Sequence, residues 1–124
     1  MQVKDLMKQA YAIQEDMSLE EAAKFMSSKN IGCVVYVQGD KLLGILTERD
    51  ILKNFGRKKL VSEVMAQKVL TVKPDDPIEI ALEVMKENMI KRLPVIEDNK
   101  LLGIITLTSL AYQIPDLEGD FFFD

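Results

Sequence analysis

The spacing of apolar residues predicts a helix early in the chain. Leu19, Ala22 and Met26 recur at helical spacing behind Ser18, so we expect a helix that runs to about Lys29. Ser18 opens a Ser-x-x-Glu sequence, the pattern of a capping box, which predicts where the helix begins. The polar positions between these residues would face water.

Two apolar runs after this helix predict a pair of strands. Residues 34–37 are β-branched and aromatic, residues 42–46 are apolar throughout, and a turn-forming Gly-Asp pair at 39–40 separates them. Thr47 follows the second run and can cap a further helix, which Gly56 would end. The order is therefore helix, hairpin, helix.

The same pattern returns 59 residues later. Residues 41–47 and 100–106 are identical at six of seven positions, and the helix residue Met26 matches Met85 at the same offset. A fixed internal period predicts two copies of one structural unit, which bury apolar faces against each other. Gly44 inside the repeated strand suggests close approach by a ligand or by the other repeat.

The second copy repeats the predicted elements with small changes. Its helix would begin at Asp76, with Pro77 at the first helical position, where a missing N–H is tolerated. Strands are expected at 93–96 and 101–105, and Thr106 would cap the last helix. Both repeats thus predict the same local structure.

The repeat gives a division of the chain. We expect repeat 1 at 1–56, a linker at 57–60, repeat 2 at 61–115 and an acidic, Phe-rich tail at 116–124. The basic linker is either a solvated connector or an anion contact. The tail phenylalanines, Phe121 to Phe123, either dock in an apolar groove of a partner or a second copy, or fray.

Composition excludes several classes of function. The net charge of −4 argues against a nucleic-acid binder, and the absence of histidine excludes Ser-His and Cys-His catalytic pairs and histidine metal sites. No apolar run reaches the roughly 18 residues of a membrane span. Cys33 is the single cysteine, which favours a reducing cytoplasm. We therefore expect a cytoplasmic protein that is not an enzyme and requires no cofactor or metal.

The sequence Gly-Ile-Leu-Thr-x-x-Asp at 44–50, with its copy at 103–109, resembles a tandem pair of CBS domains, a Bateman module. Leu93-Pro94-Val95 is similar to the apolar-Pro-Val strand of such repeats. The resemblance covers residues 3 to about 112. It implies an α+β fold in which two β-α-β-β-α repeats pack through their sheets about a pseudo-twofold axis.

The resemblance also implies a regulatory function. Members of this family bind AMP, ATP or S-adenosylmethionine in clefts between the repeats, and usually regulate a partner. The expectation for this chain is a stand-alone module that senses an adenine nucleotide. The alternatives are an interaction scaffold with vestigial clefts, and a sensor of S-adenosylmethionine or NAD.

The resemblance places ligand contacts on both repeats. The predicted site comprises Ile13, Gln14, Ile31, Gly32, Cys33, Val34, Thr47, Asp50, Lys91 and Arg92. Asp50 can accept both ribose hydroxyls, and the helix start at Thr47 favours a phosphate. Lys91 and Arg92 would supply cations to the phosphate. The plainer interpretations are that Thr47 and Asp50 only cap a helix, that the cations are surface charges, and that Cys33 is a small apolar residue.

The second copy departs from the pattern, because Ser109 stands where an aspartate is expected. Serine offers one hydrogen bond to a ribose and no charge. The resemblance implies a weaker second cleft at Thr71, Arg49, Leu93, Pro94, Thr106 and Ser109. We expect that cleft to be empty, weak or altered in its ligand preference.

Apolar residues on the short helices predict a homodimer. The candidates for uncovered apolar residues are Leu6, Met7, Ile51, Leu52, Leu110 and Ile114. The expected partners are thus an adenosine-containing small molecule, a second copy and a regulated protein, with no nucleic acid and no membrane.

Overall fold

A computed structural model describes residues 1–114, and the tail predicted at 116–124 lies outside the described residues. Eleven elements follow one another along the chain: α1 (Val3–Leu6), β1 (Ala12–Ile13), α2 (Leu19–Lys29), β2 (Cys33–Gln38), β3 (Lys41–Thr47), α3 (Glu48–Lys53), α4 (Val61–Val64), α5 (Ile78–Asn88), β4 (Arg92–Glu97), β5 (Lys100–Thr106) and α6 (Leu107–Ala111). No helix among the described residues is both long and apolar enough to cross a bilayer.

The chain divides into two compact units that do not coincide with the sequence repeats. The first, here the Asp50 unit, consists of Tyr11–Val69. The second, the Ser109 unit, consists of Met1–Ala10 together with the chain from Leu70 onward. Each unit therefore contains the leading helix of the other sequence repeat: α4 lies in the Asp50 unit and α1 in the Ser109 unit.

The Asp50 unit is a three-stranded sheet with helices packed on it. β1 pairs with β2 in parallel, and β2 pairs with β3 in the predicted hairpin. Half of the predicted capping box is present: the Glu21 amide donates to Ser18 Oγ at 3.1 Å and α2 begins at Leu19, while the Glu21 carboxylate accepts from the Ser18 hydroxyl at 3.2 Å. α3 ends at Lys53, slightly before the expected end. The buried core consists of Ile13, Leu19, Ala22, Met26, Val34, Leu46 and Val61.

The Ser109 unit repeats this arrangement with a two-stranded sheet, β4 and β5, and a bridge from Val72 to Val95 in place of β1. Pro77 is the N-cap of α5 rather than its first helical residue, so that expectation is wrong by one position. Leu110 is fully buried in this unit's own core, so the expectation that Leu110 is left uncovered is also wrong. The core consists of Val3, Val72, Ile78, Ala81, Met85, Leu93, Val95, Ile105 and Leu110.

Each unit has a strand glycine that the backbone of the other repeat's leading segment crosses. A Cβ on Gly103 would lie 2.5 Å from the carbonyl oxygen of Lys8. A Cβ on Gly44 would lie 2.9 Å from the carbonyl oxygen of Ala66 and 2.5 Å from Met65 Sδ. The close approach predicted at Gly44 is therefore confirmed, and the approaching segment comes from repeat 2.

Candidate functional site

The end of β3 forms a corner with Thr47 and Asp50, here the Asp50 corner. Asp50 Oδ2 accepts from the Thr47 amide at 2.9 Å and from Thr47 Oγ1 at 3.1 Å, while the Asp50 amide donates to Thr47 Oγ1 at 3.4 Å. These bonds form a capping box, so the capping role that the sequence allowed is present. Asp50 Oδ1 makes no hydrogen bond to the part of the chain that the structure describes, and it is the atom that can accept from a ligand.

Gly32 and Cys33 lie directly beside this corner. The Glu48 amide donates to the Gly32 carbonyl at 3.0 Å, and Cys33 pairs with Thr47 across the hairpin. The structure therefore brings Gly32, Cys33, Thr47 and Asp50 together at one end of the sheet. It also occupies two amides of the first turn of α3, those of Glu48 and Asp50, which reduces the number left for a phosphate.

The apolar residues of the predicted site lie mostly in the core. Ile13 and Val34 are buried in the core of the Asp50 unit, and Ile31 is half-buried against it. Their side chains pack inward, and the Ile31 amide already donates to the Met26 carbonyl at 3.0 Å. The exposed Gln14 lines an open groove of about 510 Å³ with Ala12, Ile13, Glu15, Met17, Glu21 and Phe25. Thr47 and Asp50 do not line this groove.

The Ser109 unit has an equivalent corner without the carboxylate, here the Ser109 corner. The Ser109 amide donates to Thr106 Oγ1 at 3.3 Å, and the Thr106 and Ser109 hydroxyls are 3.1 Å apart. The Leu107 amide donates to the Lys91 carbonyl at 2.8 Å, and Arg92 pairs with Thr106. Lys91 and Arg92 thus occupy the positions that Gly32 and Cys33 occupy in the Asp50 unit.

The two corners therefore differ in charge as well as in shape. The Asp50 corner has a carboxylate beside Gly32 and Cys33, with the exposed Glu48 and Arg49 on the same turn of α3, whereas the Ser109 corner has two hydroxyls and two half-buried cations. A carboxylate favours hydroxyl donors such as a ribose, and cations favour an anionic group. That the two corners bind a ligand unequally stays a prediction.

The remaining residues of the predicted second cleft lie on different elements of the fold. Leu93 and Pro94 are buried, so their side chains are enclosed, and the Pro94 carbonyl accepts from the Val72 amide at 3.1 Å. Thr71 is exposed just before Val72, and Arg49 is exposed on α3 in the Asp50 unit. Within the Ser109 unit, hydrogen bonds bring Thr106 and Ser109 together.

Asp16 is a structured carboxylate that the sequence pattern did not indicate. Its Oδ1 accepts from the amides of Met17 at 3.0 Å and Ser62 at 3.1 Å, and its Oδ2 accepts from Ser62 Oγ. Burial alone would raise the pKa of Asp16, but the bonds from Ser62 and Met17 outweigh it and lower the pKa below its usual value. No local signal finds this pair, because Asp16 and Ser62 lie in different sequence repeats.

A profile of the CBS domain family matches this chain twice, at residues 3–57 and 61–116. The chain belongs to the CBS-domain family, and its two CBS domains form a CBS pair. The mixed α/β fold with two CBS repeats, predicted from the sequence, is confirmed.

Curated relatives differ in how much of their length the chain matches. The CBS domain-containing protein YhcV of Bacillus subtilis is 36% identical over 115 residues, which is 88% of this chain and 82% of YhcV. The Methanocaldococcus jannaschii protein MJ1232 is 37% identical over 105 residues, and the match spans 83% of this chain but 36% of MJ1232. Inosine-5'-monophosphate dehydrogenase of the same organism is 37% identical over 107 residues, with 85% of this chain and 22% of the enzyme covered.

Solved structures of similar chains contain adenosine compounds. The CBS domain pair of MJ0100, in complex with 5'-methylthioadenosine and S-adenosyl-L-methionine, has a TM-score of 0.85 and 31% identity over 91% of this chain and 94% of that chain. The cytosolic domain of the Mg²⁺ channel MgtE, in complex with ATP, has a TM-score of 0.79 and 26% identity over 91% of this chain and 48% of that chain.

Proposed function

We propose that this CBS pair binds an adenosine-containing ligand and regulates a partner in response. The main support for this proposal is the Asp50 corner. The half-buried Asp50 carboxylate accepts from Thr47 through Oδ2, which leaves Oδ1 to accept hydrogen bonds from a ligand. Relatives of 31% and 26% identity bind 5'-methylthioadenosine, S-adenosylmethionine and ATP, which supports the same ligand class here.

The chemistry of the corner suits a ribose. Asp50 is oriented by the Thr47 amide and hydroxyl, so little side-chain freedom is lost when a ligand hydroxyl donates to Oδ1. A hydrogen bond to a charged group contributes about 1.5–3 kcal/mol, against about 1 kcal/mol for a neutral one. The ribose therefore provides the common contact, and the remainder of the ligand decides which adenosine compound is bound.

A thermal-shift screen tests the proposal. AMP, ADP, ATP, NAD, 5'-methylthioadenosine and S-adenosylmethionine are each added at millimolar concentration, with the matching guanosine nucleotides as controls. A ligand at 100 times its dissociation constant adds about 2.7 kcal/mol to the free energy of unfolding. For a chain of this length, that is a rise in Tm on the order of 10 °C. No shift with any adenosine compound would contradict the proposal.

We expect Arg92→Ala to weaken phosphate-bearing ligands more than adenosine. The resemblance assigns Lys91 and Arg92 to the phosphate, and a guanidinium can bind two phosphate oxygens at once. Calorimetry with ATP and adenosine measures the two losses, and Lys100→Ala, which removes an exposed cation at the start of β5, is the control. Equal losses for ATP and adenosine would show that Arg92 does not contact the phosphate.

A specific observation favours partner binding as a second role. Leu52 on α3 and Phe55 just after it are 72% and 87% exposed. Large apolar residues exposed side by side commonly mark an interaction surface. The scaffold alternative and the proposed homodimer both use such a surface, and neither requires an occupied ligand site.

The homodimer is a proposal that light scattering tests. We expect a dimer at micromolar concentration, and we expect Leu52→Glu to shift it toward monomer, because an interface charge without a partner is costly. Leu102→Glu, on β5 and 43% exposed, is the control that should leave the mass unchanged. A wild-type monomer at this concentration would contradict the homodimer.

A further inference from the structure

The contacts of Asp16 join two segments of the Asp50 unit. The chain from Asp16 to Leu19 runs beside residues 59–62: the Val61 amide donates to the Met17 carbonyl at 2.8 Å, and the Leu19 amide donates to the Lys59 carbonyl at 3.0 Å. The Asp16 carboxylate adds bonds from the Ser62 amide and hydroxyl at the start of α4. We call this side-chain contact the Asp16–Ser62 clamp.

One side of the clamp is the segment predicted to bind adenine. Ile13 and Gln14 lie just before Asp16, separated from it by Glu15, and residues 12–15 with Met17 line the open groove. β1 is only two residues long, so the strand pairing holds little of this segment. The clamp fixes its other end.

The other side of the clamp leads to the Asp50 corner. α4 is followed by Ala66, whose amide and carbonyl both bond Ile45 of β3 at 3.0 Å. β3 ends at Thr47, which orients Asp50. Asp16 therefore connects the Ile13–Gln14 segment, through α4 and β3, to the residues predicted to hold the ribose.

The equivalent contact in the Ser109 unit is made differently. At the positions that match Asp16 and Ser62, the sequence has Asp75 and Lys4, and the Lys4 amide donates to the Pro74 carbonyl at 2.9 Å. In the Ser109 unit, a backbone carbonyl thus accepts the amide hydrogen bond that the Asp16 carboxylate accepts in the Asp50 unit. The lysine side chain has no hydroxyl that could donate the second bond. In the described residues, this side-chain clamp occurs in the unit that also carries Asp50.

We propose that Asp16 is a positioning residue for the adenosine ligand: through Ser62, it holds the Ile13–Gln14 segment in register with the Asp50 corner. The proposal rests on the proposed function. The bonds from Ser62 and Met17 lower the pKa of Asp16, because all three of them go to the ionised carboxylate.

The test measures ligand affinity and clamp geometry separately. AMP, ATP and S-adenosylmethionine are titrated calorimetrically into wild type, Asp16→Asn, Ser62→Ala, Ser62→Thr and the Asp16→Asn/Ser62→Ala double variant. The temperature is set well below the Tm of every variant, so that a loss of stability does not change the folded fraction. Hydrogen exchange at the Ser62 amide reports directly on the clamp.

We expect Asp16→Asn to weaken binding roughly tenfold, because it removes the charged acceptor from the bonds to Ser62. Ser62→Ala should weaken binding less, and Ser62→Thr, which keeps the hydroxyl, should restore it. The double variant should lose little more than Asp16→Asn alone, since both changes break one contact. Asp75→Asn, at the matching position of the other unit, should change affinity less than twofold.

Two results would overturn the inference, and they differ in what else they show. If wild type binds an adenosine compound and Asp16→Asn binds it equally well while the Ser62 amide exchanges faster, Asp16 is structural and the inference alone fails. If wild type binds none of the three compounds, the proposed function fails and the inference fails with it. Should Asp16→Asn not fold, the difference in affinity between Ser62→Ala and Ser62→Thr decides, and equal affinities overturn the inference.

Discussion

Replacing Gly103 with alanine should lower the free energy of unfolding by about 3 kcal/mol, because the added methyl group would overlap the chain that crosses β5. Its Cβ would lie 2.5 Å from the Lys8 carbonyl oxygen, a backbone atom that cannot rotate away. Lys8 and Ile104 exchange two hydrogen bonds of 2.8 Å at the same place, so moving the Lys8 segment stretches both. The expected fall in Tm is on the order of 10 °C.

Two glycines provide controls for this prediction. At Gly39, nothing lies within 4 Å of the position that a Cβ would take. Gly39→Ala should therefore lower the free energy of unfolding only by the penalty for a positive φ, about 1–2 kcal/mol. Gly44→Ala should fall between the two, since its nearest neighbour is the flexible Met65 side chain and the Ala66 oxygen is 2.9 Å away. Chemical denaturation measures all three. If Gly103→Ala lowers the free energy of unfolding no more than Gly39→Ala does, the Lys8 segment can move away from β5 at little cost, and the prediction is wrong.

Asp50→Ala should abolish tight binding of the adenosine ligand, whereas Ser109→Ala should leave it nearly unchanged. The two corners share the Thr hydroxyl and the capping geometry, and only the first has a carboxylate. Losing a charged acceptor weakens ribose binding by roughly tenfold or more, because each 1.4 kcal/mol corresponds to tenfold in affinity. Calorimetry on the two variants provides the comparison.

Because Asp50 also caps α3, a conservative variant separates binding from stability. Asp50→Ala removes the Asp50 half of the capping box and keeps the Thr47 cap, at about 0.3–1 kcal/mol, whereas Asp50→Asn keeps an oxygen that can accept from the Thr47 amide and removes only the charge. We expect Asp50→Asn to melt close to wild type and to bind about tenfold more weakly. If Ser109→Ala removes the tight site and both Asp50 variants retain it, the assignment of the two corners is wrong.

Local structure could be predicted because its determinants lie close together in sequence. The helix cap at Ser18, the hairpin turns and the repeated strand at 100–106 each follow from a few adjacent residues, and all are present. The placement of α1 and α4 could not be predicted. Both helices pack in the unit of the other repeat, and that choice depends on contacts such as Lys8 with Ile104, which are remote in sequence.

In the candidate site, too, only the pairing of residues that lie close together in sequence could be predicted. The Thr-x-x-Asp spacing identifies Thr47 and Asp50 as a pair, but whether they cap a helix, face a ligand or do both depends on which oxygen is occupied. The structure assigns Oδ2 to the cap. Asp16 was missed because its partner Ser62 lies 46 residues away and neither residue belongs to a recognisable pattern. Leu93 of the predicted second cleft is buried, and a motif does not show which way a strand residue points, so its contact with a ligand stays a prediction.

The most direct test of the central claim is a calorimetric titration of wild-type protein with the adenosine compound that gives the largest thermal shift. The account predicts one tight site per chain, with a second site that is at least tenfold weaker or absent. It also predicts that the matching guanosine compound binds far more weakly, since we propose that the segments at Ile13 and Gly32 contact the adenine. Two equal sites per chain, or no heat of binding with any adenosine compound, would contradict it.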